Sequence, residues 1–327
     1  MSTPDLGPSA FAQRAAAYLR HYRALGLRYR YAEHTLSILG RYLAAAGAVD
    51  LDNAHYEGWR RGRALLHSNS RRKAEQMVRR FCLYRKRSEP AVFVPSADSF
   101  SPLRPTVRPV IVEPEQIMRM LAVAGCLEPG NRSPLRAAVA RVATVLLYTS
   151  GLRLGELLRL RVEDIEDGGT VLQIRESKFH KSRIVPLSDS TRIEVRQYLK
   201  RRATFAFTSP DSGPFLCNRY RGELSPYSAP GLHVMMRRLF TVAAVRDLEG
   251  RTPRIHDLRH SFAVQSLIRS YRDLGDPQAL LPKLALYLGH VSIESTLHYL
   301  KLIPAVAQLA NARFEAAFGR RVLGGEP

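Results

Sequence analysis

The sequence predicts a mainly helical protein with one small antiparallel β-sheet, arranged as two domains. Apolar residues recur at three- and four-residue spacing through most of the chain, which is typical of amphipathic helices. Two short segments, residues 170–175 and 182–187, alternate apolar and polar side chains and so indicate strands. Residues 88–114 hold six prolines, and proline removes a backbone donor and disfavours helix at the residue before it. This stretch predicts an extended linker.

The front domain, residues 1–88, is predicted to consist of about four helices. The apolar spacing places the first three at residues 11–25, 31–46 and 53–66. Asn69 and Ser70 then offer an N-cap for a fourth helix that runs to about Tyr84. The linker follows over residues 89–112.

The rear domain, residues 113–327, is predicted to open with helices at about 113–124 and 133–148. The two strands come next, joined by the turn ESKFHK, and helices resume at about Ser188 and continue to the C-terminus. The last helix, at about 304–318, has an apolar stripe formed by Ile303, Val306, Ala310, Phe314 and Ala317. This stripe fits packing either on its own domain or on another molecule.

The charge balance predicts a polyanionic partner, with nucleic acid as the first candidate. Fifty Lys and Arg against 29 Asp and Glu leave a net charge of +21. Residues 60–87 contain eleven of these cations and one acid, Glu75, whereas a merely soluble helical face interleaves both signs. We therefore expect a surface that faces a DNA duplex, formed by Arg60, Arg61, Arg63, Arg71, Arg72, Lys73, Arg79 and Arg80.

Several other classes of protein do not fit the sequence. The first residues have neither the basic nor the apolar region of a signal peptide, and the longest apolar run, near residues 142–148, is too short to span a bilayer. Cys82, Cys126 and Cys217 are odd in number and far apart, which fits neither a disulfide framework nor a zinc site. We expect a cytoplasmic protein that has no membrane partner and no metal site.

Four separated motifs hold residues that are suited to chemistry. They are TSGLRLGELLRL with Arg153 after a glycine, the turn with Lys178, HDLRHSF with His256 and Arg259, and LGHVSIESTLHYLKL with His290 and Tyr299. His256 and Arg259 are three residues apart and so share one face of a helix. Each motif alone is weak, because a surface arginine, a solvated lysine or a core tyrosine explains it equally well.

Together and in this order, the motifs resemble the tyrosine recombinase (phage integrase) family, with a catalytic domain like those of the Xer and Cre proteins. The resemblance covers essentially the whole rear domain, and the helical front domain looks like that family's core-binding, SAM-like domain. It implies a two-domain DNA clamp that acts without a cofactor. It also implies a synaptic tetramer on inverted-repeat sites, which can include sister recombinases. The helix at 304–318 would then dock on the neighbouring protomer.

The resemblance also implies a role for each site residue. Arg153 and Arg259 would bind the non-bridging oxygens of the scissile phosphate, helped by His256 and His290, because the arginine fork stays charged and donates two parallel hydrogen bonds. Tyr299 would attack phosphorus, with His256 as the expected base, to form a 3′-phosphotyrosyl bond.

The remaining site residues act around this centre. Lys178 would protonate the departing 5′-oxygen, and Lys181 is its rival in the turn. Glu156 would orient the cationic cluster, and Lys181 and Arg183 would contact DNA. His298 would be a bystander or a phosphate contact.

Two features depart from the family pattern, and two other functions stay open. The turn S-K-F-H-K lacks the usual glycines, and the stretch between Arg259 and His290 is longer than is common. The longer stretch resembles recombinases that are carried by transposons, so integration, transposition and excision are the expected reactions within the bacterial nucleoid.

A type IB topoisomerase would use the same chemistry without a defined site. A DNA-binding regulator would use none of it.

Overall fold

The computed structural model divides into two compact units, residues 1–107 and 108–327. It describes residues 10–105, 108–175, 182–204, 213–220, 223–272 and 277–289. Within these ranges, no helix is both long and apolar enough to cross a membrane.

The first unit is a four-helix domain around an aromatic core. Its helices are α1 (Ala10–Ala24), α2 (Arg30–Ala45), α3 (Asn53–Arg61) and α4 (Ser68–Arg85). Tyr18 is fully buried, and its ring contacts Phe81 edge-on with centroids 5.4 Å apart. Leu39 and Trp59 complete the same cluster. The four predicted helices are all present, and the apolar spacing located the first three because each one buries a single face in a shared core.

Two helix ends differ from the sequence prediction. Helix α3 ends at Arg61 rather than near residue 66, with Gly62 as its C-cap residue, and the apolar Leu65 that suggested a longer helix is fully exposed. The N-cap of α4 is His67, whose side chain accepts a hydrogen bond from the backbone of Asn69. Asn69 itself lies inside the helix, so the predicted N-cap at residues 69–70 is wrong.

Residues 95–104, which we call the strap, pack against α3 and α4. The buried carboxylate of Glu75 accepts from the backbone N–H of Ser101 at 2.6 Å and from its hydroxyl at 2.8 Å. Arg72 donates to the Ser101 carbonyl at 3.0 Å. The side-chain amide of Asn69 pairs with both backbone groups of Arg104. Other carbonyls of the strap accept from Arg60, Ser68 and Arg79. Most of the Pro-rich segment therefore belongs to the first unit.

The second unit packs its helices around one buried helix, α6. Its elements are α5 (Pro114–Gly125), α6 (Arg136–Thr149), α7 (Leu154–Arg159), β1 (Ile165–Glu166), β2 (Val171–Ile174), β3 (Arg183–Pro186), α8 (Asp189–Ala203), β4 (Cys217–Tyr220), β5 (Glu223–Pro226), α9 (Ala229–Val242), α10 (Ile255–Arg272) and α11 (Pro277–Leu288). Helix α6 is apolar on nearly every face and packs against α5, α8, α9 and α10. A helix that is hydrophobic all round is one that its neighbours cover.

The strands form two small antiparallel sheets in the described residues. Strands β1, β2 and β3 make one sheet, with Ile174 opposite Arg183, and β4 pairs with β5 in the other. The sequence predicted β2 and β3 but missed β1, which is two residues long. It also placed helices throughout the chain after Ser188, which is wrong at the β4–β5 hairpin. These strands are short and polar and lack the alternation that identifies a strand. The fold class, mainly helical with a small antiparallel sheet, is confirmed.

Candidate active site

The site begins at the turn between α6 and α7, which a glycine makes possible. Gly151 has a φ of +57°, in the left-handed region that side chains rarely adopt. A Cβ at this position would lie 2.7 Å from the ring of Phe262 on α10 and 2.9 Å from Leu288 on α11. The turn therefore packs directly on both helices, and it delivers Arg153 to the N-terminus of α7.

Arg153 and Glu156 are bound to each other twice. The Glu156 carboxylate accepts from the backbone N–H of Arg153 at 2.9 Å and from its Nη1 at 2.8 Å. The first bond caps α7, because a carboxylate at the third helical position satisfies a backbone donor that has no partner within the helix. The Arg153 side chain keeps 23 % of its surface exposed. Glu156 thus bonds both the backbone and the guanidinium of Arg153, which fits the orienting role expected for it.

His256 and Arg259 lie on the first turns of α10, three residues apart as the sequence predicted. His256 is exposed, whereas Arg259 is only 1 % exposed. The guanidinium of Arg259 donates to the Gly151 carbonyl at 2.7 Å and to the Leu288 carbonyl at 2.6 Å. The side chain therefore joins the glycine turn to the end of α11.

Three arginines converge on the C-terminal end of α11. Arg183, Arg259 and Arg153 donate in turn to the consecutive carbonyls of Tyr287, Leu288 and Gly289, at 2.8, 2.6 and 2.8 Å. The last carbonyls of a helix lack partners within it and form the negative end of its dipole, so cations are favoured there. The residue that follows is His290. The arginines thus hold the backbone that leads into the LGH motif.

Arg183 has a different environment from the DNA contact that the sequence predicted. Its Nη1 and Nη2 donate to the two oxygens of Glu156, both at 2.9 Å, and its side chain is 10 % exposed. A bidentate pair of this kind is a strong and geometrically specific contact. The guanidinium therefore faces Glu156 and α11 rather than solvent.

The two arginines determine the ionisation of Glu156. Burial by itself raises the pKa of this carboxyl, but the hydrogen bonds and charge of Arg183, followed by the bonds from Arg153, outweigh burial and lower the pKa to about 2. Glu156 is therefore an anion at every physiological pH, and it offsets part of the charge that the three arginines bring together.

This ion network predicts a specific loss of stability in acid. A folded-state pKa of about 2 against an ordinary 4.5 means that Glu156 stabilises the fold above pH 4.5 and that this contribution is lost as the pH falls towards 2. At about 1.4 kcal/mol per pKa unit, the total is about 3 kcal/mol, of which about 2 kcal/mol disappears by pH 3. Glu156→Gln should lack this component in urea unfolding at pH 7 and pH 3. Equal pH dependence in the two proteins would contradict the assignment.

His256 is poised as a neutral imidazole. Partial burial of its ring and the positive charge of Arg259 lower the pKa of His256 below the ordinary value. The ring of His260 packs edge-on against it at 4.6 Å, and burial lowers the pKa of His260 to about 4. A neutral imidazole at neutral pH can accept a proton, which is the property of a general base.

A pocket of 560 Å³ opens beside His256, and the sequence reading missed its cationic lining. Arg237 on α9 and Arg254 just before α10 line it together with His233 and His256. Arg254 is 53 % exposed and is paired with the buried Asp257. The sequence could have indicated Arg254 as part of this lining, because it lies two residues before His256. It does not indicate Arg237, because no sequence pattern places α9 beside α10.

The other predicted site residues lie outside the described part of the chain. These are Lys178 and Lys181, which lie between β2 and β3 in the sequence, then His290, His298 and Tyr299, and the helix predicted at 304–318. Among the described residues, Glu156 binds both Arg153 and Arg183, and Arg259 binds the Gly151 carbonyl two residues before Arg153. His256 lies one helical turn before Arg259 on α10.

The cations of the predicted basic surface in the first unit fall into two groups: some bind or pack against other parts of the unit, and the others are exposed to solvent. Arg60 is bonded to Glu57, Glu75 and the strap, and Arg63 lies over the ring of Trp59 at 5.0 Å. Arg72 and Arg79 donate to carbonyls of the strap, and Arg71 is half-buried. The cations of residues 60–87 that remain exposed are Arg61, Lys73, Arg80, Lys86 and Arg87.

Comparison with known proteins identifies the class. A sequence model of the phage integrase family matches residues 112–304. The putative integrase/recombinase y4rB of Sinorhizobium fredii is 32% identical over 94% of this chain and 98% of its own. Tyrosine recombinase XerD of Caulobacter vibrioides is 28% identical over 81% of this chain and 80% of its own. The chain belongs to the phage integrase family.

Within that family it is a tyrosine-type, site-specific DNA recombinase, which confirms the resemblance drawn from the motifs. Solved structures agree in fold. The Tn1549 transposon integrase in complex with transposon right end DNA gives a TM-score of 0.61 at 16% identity, over 94% of this chain and 99% of that one. The lambda integrase bound to DNA gives 0.58 at 16% identity, over 86% and 93%.

Proposed function

We propose that the second unit cleaves DNA by direct transfer of a phosphoryl group to Tyr299. The observation that carries this proposal is the convergence of Arg153 and Arg259 on the backbone just before His290. This arrangement concentrates fixed positive charge next to the motif that contains the tyrosine. Positive charge held in place before the reaction stabilises the extra negative charge that an attacked phosphate develops.

In the proposed reaction, Arg153 and Arg259 bind the two non-bridging oxygens of the scissile phosphate. Arg259 is almost fully buried and donates to two carbonyls, and in the proposed reaction a phosphate oxygen takes the place of one of these acceptors. The exchange is favourable because hydrogen bonds to a charged acceptor are about twice as strong as those to a neutral one. His290 donates a further hydrogen bond to the same oxygens.

The proton transfers follow from the acid–base groups. The lowered pKa of His256 lets it accept the phenolic proton of Tyr299 as the phenol oxygen bonds to phosphorus. The bond between phosphorus and the 5′-oxygen breaks, and Lys178 supplies the proton that this oxygen takes up. A 5′-hydroxyl of a second strand then attacks the phosphotyrosine and restores the tyrosine, so strands are exchanged without a cofactor.

The proposed reaction is tested by finding the covalent bond and its site. The chain is incubated with DNA fragments that flank its own gene, and SDS-resistant complexes are isolated. A tyrosine-linked 3′-phosphate at one defined position, with a free 5′-hydroxyl beside it, is the expected product. Cleavage spread over unrelated sequences, with relaxation of plasmids that lack the site, would favour a topoisomerase.

We further propose that the first unit is the core-binding domain and that recombination occurs in a tetramer on inverted-repeat DNA in the bacterial cytoplasm. The tyrosine recombinase XerD and the Tn1549 transposon integrase, solved in complex with transposon right end DNA, support the DNA partner in this proposal. The recombination would serve integration, transposition or excision of a mobile element.

The exposed cations of α4 are the proposed phosphate contacts of the first unit, and salt dependence tests them. Lys73 and Arg80 are both exposed and lie two turns apart on one face of α4. Each phosphate contact adds about 0.9 to the slope of log affinity against log salt. Replacing both with alanine should therefore flatten the slope by about 1.8.

A matched control removes the same charge elsewhere. Lys200 and Arg201 are exposed at the end of α8 in the second unit, and their double replacement with alanine should leave the slope nearly unchanged. Equal slopes for the two double variants would place α4 away from the DNA.

A further inference from the structure

Arg183 connects three parts of the catalytic unit that are far apart in the sequence. It begins β3, its fork binds Glu156 on α7, and its Nε binds the Tyr287 carbonyl at the end of α11. The guanidinium thus uses both terminal nitrogens and Nε on internal acceptors. Gly289 has a φ of +65°, and a Cβ there would lie 3.1 Å from Nη1 of Arg183, so the chain after α11 turns closely over this side chain.

Arg153 depends on the same two partners. Its Nη1 shares Oε1 of Glu156 with Nη1 of Arg183, and its Nη2 binds the carbonyl of Gly289, two residues after the acceptor of Arg183. Without Arg183, the Glu156 carboxylate would lose both hydrogen bonds that hold it from the β3 side and could rotate. Arg153 would then lose the fixed acceptor that sets the direction of its guanidinium.

We propose that Arg183 is a positioning residue for the recombination reaction, one that acts through Glu156 to fix the phosphate-binding geometry of Arg153. The inference rests on the role in phosphate binding proposed above for Arg153. It replaces the expectation that Arg183 contacts DNA, because the side chain is 10 % exposed and its Nε, Nη1 and Nη2 are each engaged by Glu156 or the Tyr287 carbonyl.

A positioning role and a DNA contact make opposite predictions for binding and cleavage. Arg183→Met removes the fork but keeps an unbranched side chain, and it should leave DNA affinity and its salt slope unchanged. Covalent adduct formation on saturating DNA should slow by about 10- to 100-fold, which is the effect expected from a displacement of about 1 Å in a catalytic group. A salt slope that flattens by about 0.9, with an unchanged cleavage rate, would show a phosphate contact instead.

The matched control is an arginine in the same hairpin without these bonds. Arg175 directly follows β2, near the start of β3, and is 55 % exposed, with an ion pair to Asp164 at 2.7 Å. Arg175→Met removes the same side chain and should slow cleavage far less than Arg183→Met does, because Arg175 pairs with Asp164 rather than with Glu156. If Arg175→Met and Arg183→Met slow cleavage equally, cleavage requires positive charge on the hairpin in general rather than the bonds of Arg183, and the inference is wrong.

A modified substrate tests whether Arg183 acts through Arg153. In a methylphosphonate, a methyl group replaces one non-bridging oxygen and the phosphorus centre is neutral, so the arginine that meets that oxygen becomes redundant. Tyrosine attack and departure of the 5′-oxygen are unchanged. Cleavage by Arg153→Ala should therefore recover on the diastereomer whose methyl replaces the oxygen that Arg153 binds. Arg183→Met should recover on that same diastereomer, to within a few-fold of the parent protein on it.

The outcomes separate this inference from the proposed function. If Arg153→Ala recovers and Arg183→Met does not, or recovers on the other diastereomer, the positioning role is wrong and the role of Arg153 stands. If Arg153→Ala recovers on neither, the proposed role of Arg153 is wrong and the inference falls with it. Should Arg183→Met fail to fold, Arg183→Lys serves, because it keeps the charge beside Glu156 but has one nitrogen for three acceptors. It should give a smaller defect with the same diastereomer preference.

Discussion

Tyr299→Phe is expected to bind duplex DNA as tightly as the parent protein and to form no SDS-resistant protein–DNA adduct. The substitution removes one oxygen, the atom proposed to bond to phosphorus, and keeps the ring and its packing. Binding rests on cations that the substitution does not touch, so affinity should persist. Loss of a nucleophile with retention of binding is the signature of covalent catalysis. The measurement is gel separation of the adduct on suicide DNA, beside a binding assay on the same preparation.

Tyr287→Phe is the matched control for this prediction. Tyr287 lies on α11, twelve residues before Tyr299, with its ring stacked on Phe262 at 5.3 Å and its hydroxyl 3.4 Å from the Pro186 carbonyl. Burial raises the pKa of Tyr287 to about 12, which makes it a poorer nucleophile than an ordinary phenol. Tyr287→Phe should therefore keep adduct formation. If the adduct forms with Tyr299→Phe and not with Tyr287→Phe, the nucleophile is Tyr287 and not Tyr299.

The parts of the fold that sequence could predict are those governed by local periodicity. Helices α1, α2 and α5 bury regularly spaced apolar residues, so their positions follow from spacing to within a few residues. The i, i+3 relation of His256 and Arg259 is likewise a property of one helix. The strap is different, because side chains of α3 and α4 hold it through backbone carbonyls, and every residue type offers a carbonyl.

At the centre of the site, too, contacts within one element could be predicted from the sequence, whereas contacts between distant elements could not. Arg153 and Glu156 are three residues apart and interact within one short helix, so their pairing was predictable. Arg183 reaches Glu156 from 27 residues away, and the contact depends on the register of β3 and the approach of α11. A sequence pattern contains neither, so an arginine near a predicted DNA site was interpreted as a DNA contact. The burial of Arg183 is the reason for proposing a positioning role for it instead.

Removal of the proposed general acid, Lys178, is expected to have the second large effect on cleavage. A substrate with a different leaving group tests whether this residue donates the proton. In natural DNA the 5′-oxygen departs as an alkoxide, which is strongly basic, so its departure needs a proton. Lys178→Ala should therefore slow cleavage by about 100- to 10,000-fold, the range found for general acids. When sulfur replaces the bridging 5′-oxygen, the leaving group is a thiolate whose pKa is about 8.5 if it resembles a cysteine thiol. It leaves without a proton, so the defect of Lys178→Ala should largely vanish on this substrate.

Arg153→Ala and Lys181→Ala are the controls for the sulfur substrate. Sulfur at the bridging position leaves both non-bridging oxygens charged, so a variant that lacks Arg153 should remain slow on it. Lys181 stands three residues after Lys178 and carries the same charge. Lys181→Ala therefore tests whether proton donation to the 5′-oxygen is specific to Lys178. Selective recovery of Lys181→Ala would make Lys181 the acid. Recovery of neither lysine variant would move the role to His256 or water, since the 5′-oxygen must still take up one proton.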